Sequence, residues 1–190
     1  MDNIINVIKS RRSIRKYLDK PISKEIIDKL IEAAKWAPNG MNEQPWGFII
    51  VQDKALIKEL SDRSIPYINK MIEKNPKFAG YKKRMAVKDF SIFYHAPCVI
   101  IILGKKDIFS YQNDCAMAAQ NLMLLASSMN IGSCWVGMTN VLDKDAWFRK
   151  KFEVPDNYAI VAPIALGYFE NKDIPVIERR IPEIQKYFGG

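Results

Sequence analysis

Ala37-Pro38-Asn39-Gly40-Met41-Asn42-Glu43-Gln44-Pro45-Trp46 joins a helical stretch to an extended one and is dense in amide side chains. Asn and Gln donate and accept hydrogen bonds at once, as the edge of a uracil-like ring with alternating carbonyls and N–H groups requires of a binding loop. Asn, Gly and Pro are also ordinary turn residues, so in isolation the stretch reads first as a structural connection. Upstream, Ser23 is placed to cap a helix whose apolar stripe is Ile26, Ile27, Leu30, Ile31, Ala34 and Ala37. Pro38, which has no N–H to give, ends that helix. Downstream, residues 46–52 read as a strand.

Moving outward, Ile4, Ile5 and Ile8 fall at helical spacing and predict a short helix over residues 2–9, stopping before a basic turn. That turn, Arg11-Arg12-Ser13-Ile14-Arg15, packs three guanidiniums and a hydroxyl into five residues. Forked Arg donors match phosphate oxygens, and an anion clamp and an exposed basic turn fit these residues equally well. Residues 53–89 are polar and Lys-rich, predicting two or three helices with breaks at Pro66 and Pro76, a composition that suits a substrate-gating segment. Residues 97–103 form a β-branched run bounded by Pro97 and Gly104, as in a strand buried on both faces. Residues 111–130 are helical and apolar nearly all round, as in a core or an interface, with Gly132 placed to close the helix in the left-handed conformation. Strands follow at 133–136 and 159–167, with a short helix at 144–151 between them. In Gly132-Ser133-Cys134-Trp135-Val136-Gly137, a glycine at the strand end permits close approach of a planar ligand. The tail from Asp173 onward, with Pro175, Arg179, Arg180 and Pro182, is too irregular for a core element. Four strands and several helices, without repeating β-α units of even length, predict an α+β sandwich of helices around one sheet.

The 190 residues, 48% hydrophobic, suit one domain spanning 1–190. The start, Met1-Asp2-Asn3, shows no cleavable apolar leader, and runs such as residues 99–103 are too short to cross a bilayer, so a soluble cytoplasmic protein without a membrane partner is expected. Cys98, Cys115 and Cys134 are odd in number, widely spaced and set in apolar segments, which predicts buried thiols and no metal site. A net charge of +8 raises the question of nucleic acid, but the densest basic patch, residues 70–88, carries no nucleic-acid-binding signature and reads as a solvated face. The single histidine, His95, precedes Pro97 at the start of a buried strand and reads as structural. Trp36, Trp46, Trp135, Trp147 and Phe109 are expected mostly in the core.

Taken in order, the Arg11-x-Ser13-x-Arg15 turn, the Asn42-x-Gln44-Pro45-Trp46 loop, the long apolar helix and the Gly132-x-Cys134-Trp135-x-Gly137 strand resemble the nitroreductase family of FMN proteins from end to end. The resemblance extends to the tail, Arg180-Ile181-Pro182. It implies a mostly antiparallel central sheet wrapped by helices in a homodimer with flavin at the subunit interface. It also implies that Arg11, Arg12, Ser13 and Arg15 hold the FMN phosphate, ribityl chain and pyrimidine edge, while Arg179 and Arg180 return to the phosphate. Pro38, Asn39, Gly40 and Asn42, with Met41 and Gln44 in the same loop, would reach the flavin from the other subunit. The backbone of Val136 and Gly137 would lie against the ring near N5. Two features depart from the family: Asn39-Gly40 stands where Ser-Ser is frequent, and its central Asn or Lys contact has no clear match, Lys88 and Asp89 being the candidates. The implied activity is an FMN-dependent oxidoreductase that takes electrons from NADH or NADPH and reduces small acceptors such as nitroaromatics or quinones by a ping-pong mechanism. No catalytic side chain is required, since the flavin carries the chemistry. The alternatives are a specialised dehalogenase, an enoyl or azoline oxidoreductase, or a flavin-binding protein without reductase activity.

Overall fold

The computed structural model describes residues 4–170, 174 and 178–189. The helices are α1 (Ile4–Ser10), α2 (Lys24–Lys35), α3 (Lys54–Lys74), α4 (Gly80–Met85), α5 (Tyr111–Ser128) and α6 (Ala146–Lys151). The strands are β1 (Trp46–Val51), β2 (Cys98–Lys105), β3 (Gly132–Trp135) and β4 (Tyr158–Gly167). They form one sheet in the order β1-β2-β4-β3, and all three pairings are antiparallel. A single parallel bridge, Ser13 to Ser133, adds the basic turn to the free edge of β3.

Period-two alternation on β2 explains the layers, because successive side chains of a strand point to opposite faces. Cys98, Ile100 and Ile102 pack with Leu30 and Ala34 of α2 and with Ala118 and Leu122 of α5. Val99, Ile101 and Leu103 face the other way, toward Ile57, Leu60, Ile68 and Ile72 of α3 and Phe148 of α6. The α+β sandwich and the doubly buried β2 therefore stand as expected. Cys98, Cys115 and Cys134 are all buried. Burial pushes the Cys98 thiol up to about 12, and burial plus the neighbouring Asp114 charge does the same at Cys115.

Other expectations need correction. Pro66 does not break its helix: it lies inside the continuous 21-residue α3. The ring removes one hydrogen bond. The buried Ile57, Leu60, Ile68 and Ile72 hold both halves to the sheet, and Ser61 Oγ accepts the Ile92 N–H at 3.0 Å. The break at Pro76 is real, since a 3-10 turn, Pro76–Phe78, separates α3 from α4. Gly132 does not close α5. Asn130 takes the left-handed conformation with φ of 55°, and Gly132 begins β3. The N-terminal stripe folds as a helix, yet Ile4, Ile5 and Ile8 are exposed and Val7 is the buried residue. His95 is exposed and left-handed, with φ of 55°, because the chain turns there before entering β2. Trp36, Trp135 and Phe109 are also exposed, Trp36 lying beyond the buried face of α2 and donating to Glu32 at 2.8 Å. Of the tail, Asp173 and Pro175 lie outside the described residues, and 178–189 have no regular secondary structure. No helix among the described residues is long and apolar enough to cross a membrane, and no acid, His or Cys group among them could hold a metal ion.

Candidate functional site

The edge strand β3 positions the basic turn. Ile14 N–H donates to the Ser133 carbonyl at 2.9 Å, so residues 11–15 run alongside the strand. This close approach requires glycine at 132, where a Cβ would come within 2.9 Å of three Ile14 side-chain carbons. Arg11 and Arg12 then border a cleft of about 620 Å³ that includes Gly132, Ser133 and the C-terminal end of α5 at Ser127 and Ser128. Burial, followed by the Arg179 and Arg12 charges, lowers the Arg11 guanidinium below its ordinary value. Arg179 of the tail thus reaches the same region, whereas Arg180 is simply exposed. The Arg12 guanidinium turns back to the Lys9 and Arg11 carbonyls at 2.6 and 3.0 Å, helping to close α1. Ser133 lines the same cleft, and its Oγ is buried without a hydrogen-bond partner among the described residues.

Arg15 lies on the far side of the same segment. It lines a second cavity, of about 90 Å³, with Tyr81, Arg84, Phe90, Tyr94, Trp135 and the residues Val136 and Gly137. The Cys134 thiol sits between the two parts: burial raises it, while the Arg15, Arg11 and Arg84 charges act the other way. Val136 is buried, and its N–H is committed to the Pro163 carbonyl at 2.8 Å. Gly137 is exposed and opens the 3-10 segment Gly137–Lys144, so its N–H has no helical acceptor. A Cβ on Gly137 would meet only the Trp135 indole, at 3.7 Å, so the space over this backbone is open to a flat ligand.

The amide-rich loop lies elsewhere. Gly40 N–H donates to Asp114 Oδ2 at 3.3 Å in the first turn of α5, and a Cβ on Gly40 would come 2.6 Å from Ser110 Oγ. Arg11 and Arg12 border the last turn of that 18-residue helix at Ser127 and Ser128, about 20 Å from Asp114 at 1.5 Å rise per residue. One chain therefore does not bring Pro38, Asn39, Gly40, Met41, Asn42 and Gln44 to the Arg11–Gly137 edge. Asn39 and Gln44 perform turn chemistry, with Gln44 N–H donating to Asn39 Oδ1 at 2.9 Å. The loop is strained: Met41, Asn42 and Gln44 have φ of 50°, 56° and 46°, conformations costly for Met and Gln. Pro38, Met41 and Asn42 stand out into solvent.

Sequence reasoning missed Tyr81, Arg84, Phe90 and Tyr94. Asp89, one of the two candidates for the central contact, instead lines a different cavity with Lys58 and His95. Only the basic run on α4 could have pointed to Arg84, and nothing in it singles out one residue.

Residues 8–168 match the family model described as the nitroreductase family. A protein of Methanothermobacter thermautotrophicus, provisionally named an NADH dehydrogenase/NAD(P)H nitroreductase, is 32% identical over 170 residues, covering 87% of this chain and 77% of that one. A nitroreductase with bound FMN from Bacteroides fragilis superimposes over 100% of both chains with a TM-score of 0.82 at 25% identity. A second, also with bound FMN, from Desulfitobacterium hafniense, gives a TM-score of 0.81 at 26% identity over 97% of this chain and 100% of that one. The match across most of the length, with 32% identity to a relative over most of both chains, shows that this chain belongs to the nitroreductase family.

Proposed function

We propose that this chain is an FMN-dependent NAD(P)H oxidoreductase, one domain over residues 1–190, that reduces small acceptors such as nitroaromatics or quinones by a ping-pong mechanism. The observation that carries the reading is the edge of β3, where crowded guanidiniums, an unpartnered buried hydroxyl at Ser133 and an open backbone at Gly137 lie in a row. Mutually repelling Arg11 and Arg179 charges fit a phosphate, and the free space over Gly137 fits a flat ring. FMN offers both, and the two solved relatives contain it.

FMN held at this edge would supply two-electron transfer between a reduced nicotinamide and an acceptor that takes its place in turn. Around it, Arg11, with Arg12, Arg179 and Arg180, would neutralise the phosphate, and Ser13 and Ser133 offer hydroxyls to the chain that links phosphate to ring. Arg15 would stabilise negative charge on the pyrimidine edge. Gly137 supplies the backbone N–H that orients the ring, since that of Val136 is already used. A second copy would deliver Pro38, Asn39, Gly40, Met41, Asn42 and Gln44. This arrangement is supported by the loop's distance from the basic turn within one chain and by its strained, solvent-facing backbone.

Anaerobic titration of the FMN-loaded protein with NADH and then NADPH is expected to bleach the flavin absorbance, with recovery on adding a quinone or nitroaromatic. A spectrum untouched by both nicotinamides would overturn the reductase reading. Arg11→Ala is expected to weaken FMN binding about ten- to hundredfold, the worth of a charge-assisted hydrogen bond. FMN affinity unchanged in that variant would remove the phosphate assignment.

A further inference from the structure

We propose that Arg84 makes the acceptor site selective for planar aromatic molecules carrying a negative charge, such as aromatic carboxylates; the proposal rests on the flavin reading above. Beside the Gly137 backbone that would carry the flavin ring, the lining residues Tyr81, Phe90, Tyr94 and Trp135 supply aromatic walls for what binds next to it, and the charges there are Arg15 and Arg84 alone, with no Asp or Glu in the lining. Neither guanidinium has a carboxylate partner among the described residues. Arg84 lies 5.9 Å from the Tyr81 ring centroid and Arg15 lies 5.9 Å from that of Tyr94. Of the consecutive basic residues Lys82, Lys83 and Arg84, only Arg84 lines the cavity.

Two guanidiniums beside one small aromatic chamber that has no acidic side chain in its lining attract anions to it. The flavin accounts for Arg15, and the Arg84 charge is left for what binds next. A guanidinium offers paired donors to a carboxylate, and aromatic walls stack on a ring, so the two features together select an aromatic anion. With 4-nitrobenzoate as acceptor, NAD(P)H and one proton give NAD(P)+ and two electrons with two protons. One N–O bond of the nitro group breaks, the oxygen leaves as water, and 4-nitrosobenzoate forms with its carboxylate unchanged.

The test compares 4-nitrobenzoate with 4-nitrobenzamide, a neutral molecule with the same number of non-hydrogen atoms. Binding to the oxidised, FMN-loaded protein is read by equilibrium dialysis, and kcat/KM is read with the preferred nicotinamide. The expected result is about tenfold tighter binding and a similarly larger kcat/KM for the anion, a preference that shrinks in high salt. Arg84→Ala that has kept its FMN is expected to bring the ratio to near unity, while Arg84→Lys keeps part of it. Equal binding of the two probes by the wild type would overturn the proposal. So would an Arg84→Ala variant that raises KM for NAD(P)H and keeps the acceptor preference, since the charge then serves the donor's phosphates. Failure of the underlying reading looks different: the wild type then lacks FMN or does not bleach with either nicotinamide, before any acceptor is added.

Discussion

Gly132 shows how one missing methyl group holds the site together. Its Cα faces the Cβ, Cγ1 and Cγ2 of Ile14, and a β-branched side chain cannot swing these atoms away. Gly132→Ala would push residues 11–15 off β3, loosening the Ile14 to Ser133 hydrogen bond. The expected cost is about 1–3 kcal/mol, a drop in Tm of several degrees for a chain of this length, together with loss of retained FMN. An unchanged Tm would show that the basic turn repacks freely and that the strand edge does not position it. Residue types announced much of this site, because forked Arg donors in a turn are conspicuous. The reason for Gly132 was hidden, since a glycine near a helix end fits a left-handed closure as well as a close contact, and Asn130 took the former role.

Pro66 separates local preference from packing. The proline nitrogen cannot donate to the carbonyl of Asp62, the residue four before it, and a sequence window therefore reads a break. The helix continues because its buried stripe holds both halves against one face of the sheet, outweighing a single lost hydrogen bond. Pro66 itself is exposed. Pro66→Ala is accordingly expected to raise stability by about 1 kcal/mol, seen as a higher urea midpoint with an unchanged slope. A lower midpoint would mean that proline's restriction of the unfolded chain outweighs the restored bond. The strands were easier to read, since β2 is a run of β-branched residues that suits no other element as well.

In a single chain, several apolar groups are left uncovered: Ile4, Ile5 and Ile8 on α1, Met41 in the amide-rich loop, Met117 on α5, and Phe188 in the tail. Pairing with a second copy would cover such groups while completing the flavin site proposed above. Sedimentation equilibrium is expected to give a species of twice the 21.9 kDa chain mass, with FMN lost as dilution dissociates it. A monomer with full flavin occupancy would sink both the dimer and the shared site.

The strands, the long apolar helix, the basic turn and the order of the family's motifs could all be read along the chain, because periodicity and residue type act over a few neighbours. Which face of α1 is buried, why Pro66 is tolerated, which glycine serves which purpose and which residue of α4 turns inward were decided by packing between segments far apart in sequence. The amide loop belongs to both groups. Its chemistry was plain from its side chains, but its placement at the opposite end of α5 from Arg11 emerged only when the helix was set against the sheet, since a rigid helix holds its ends apart.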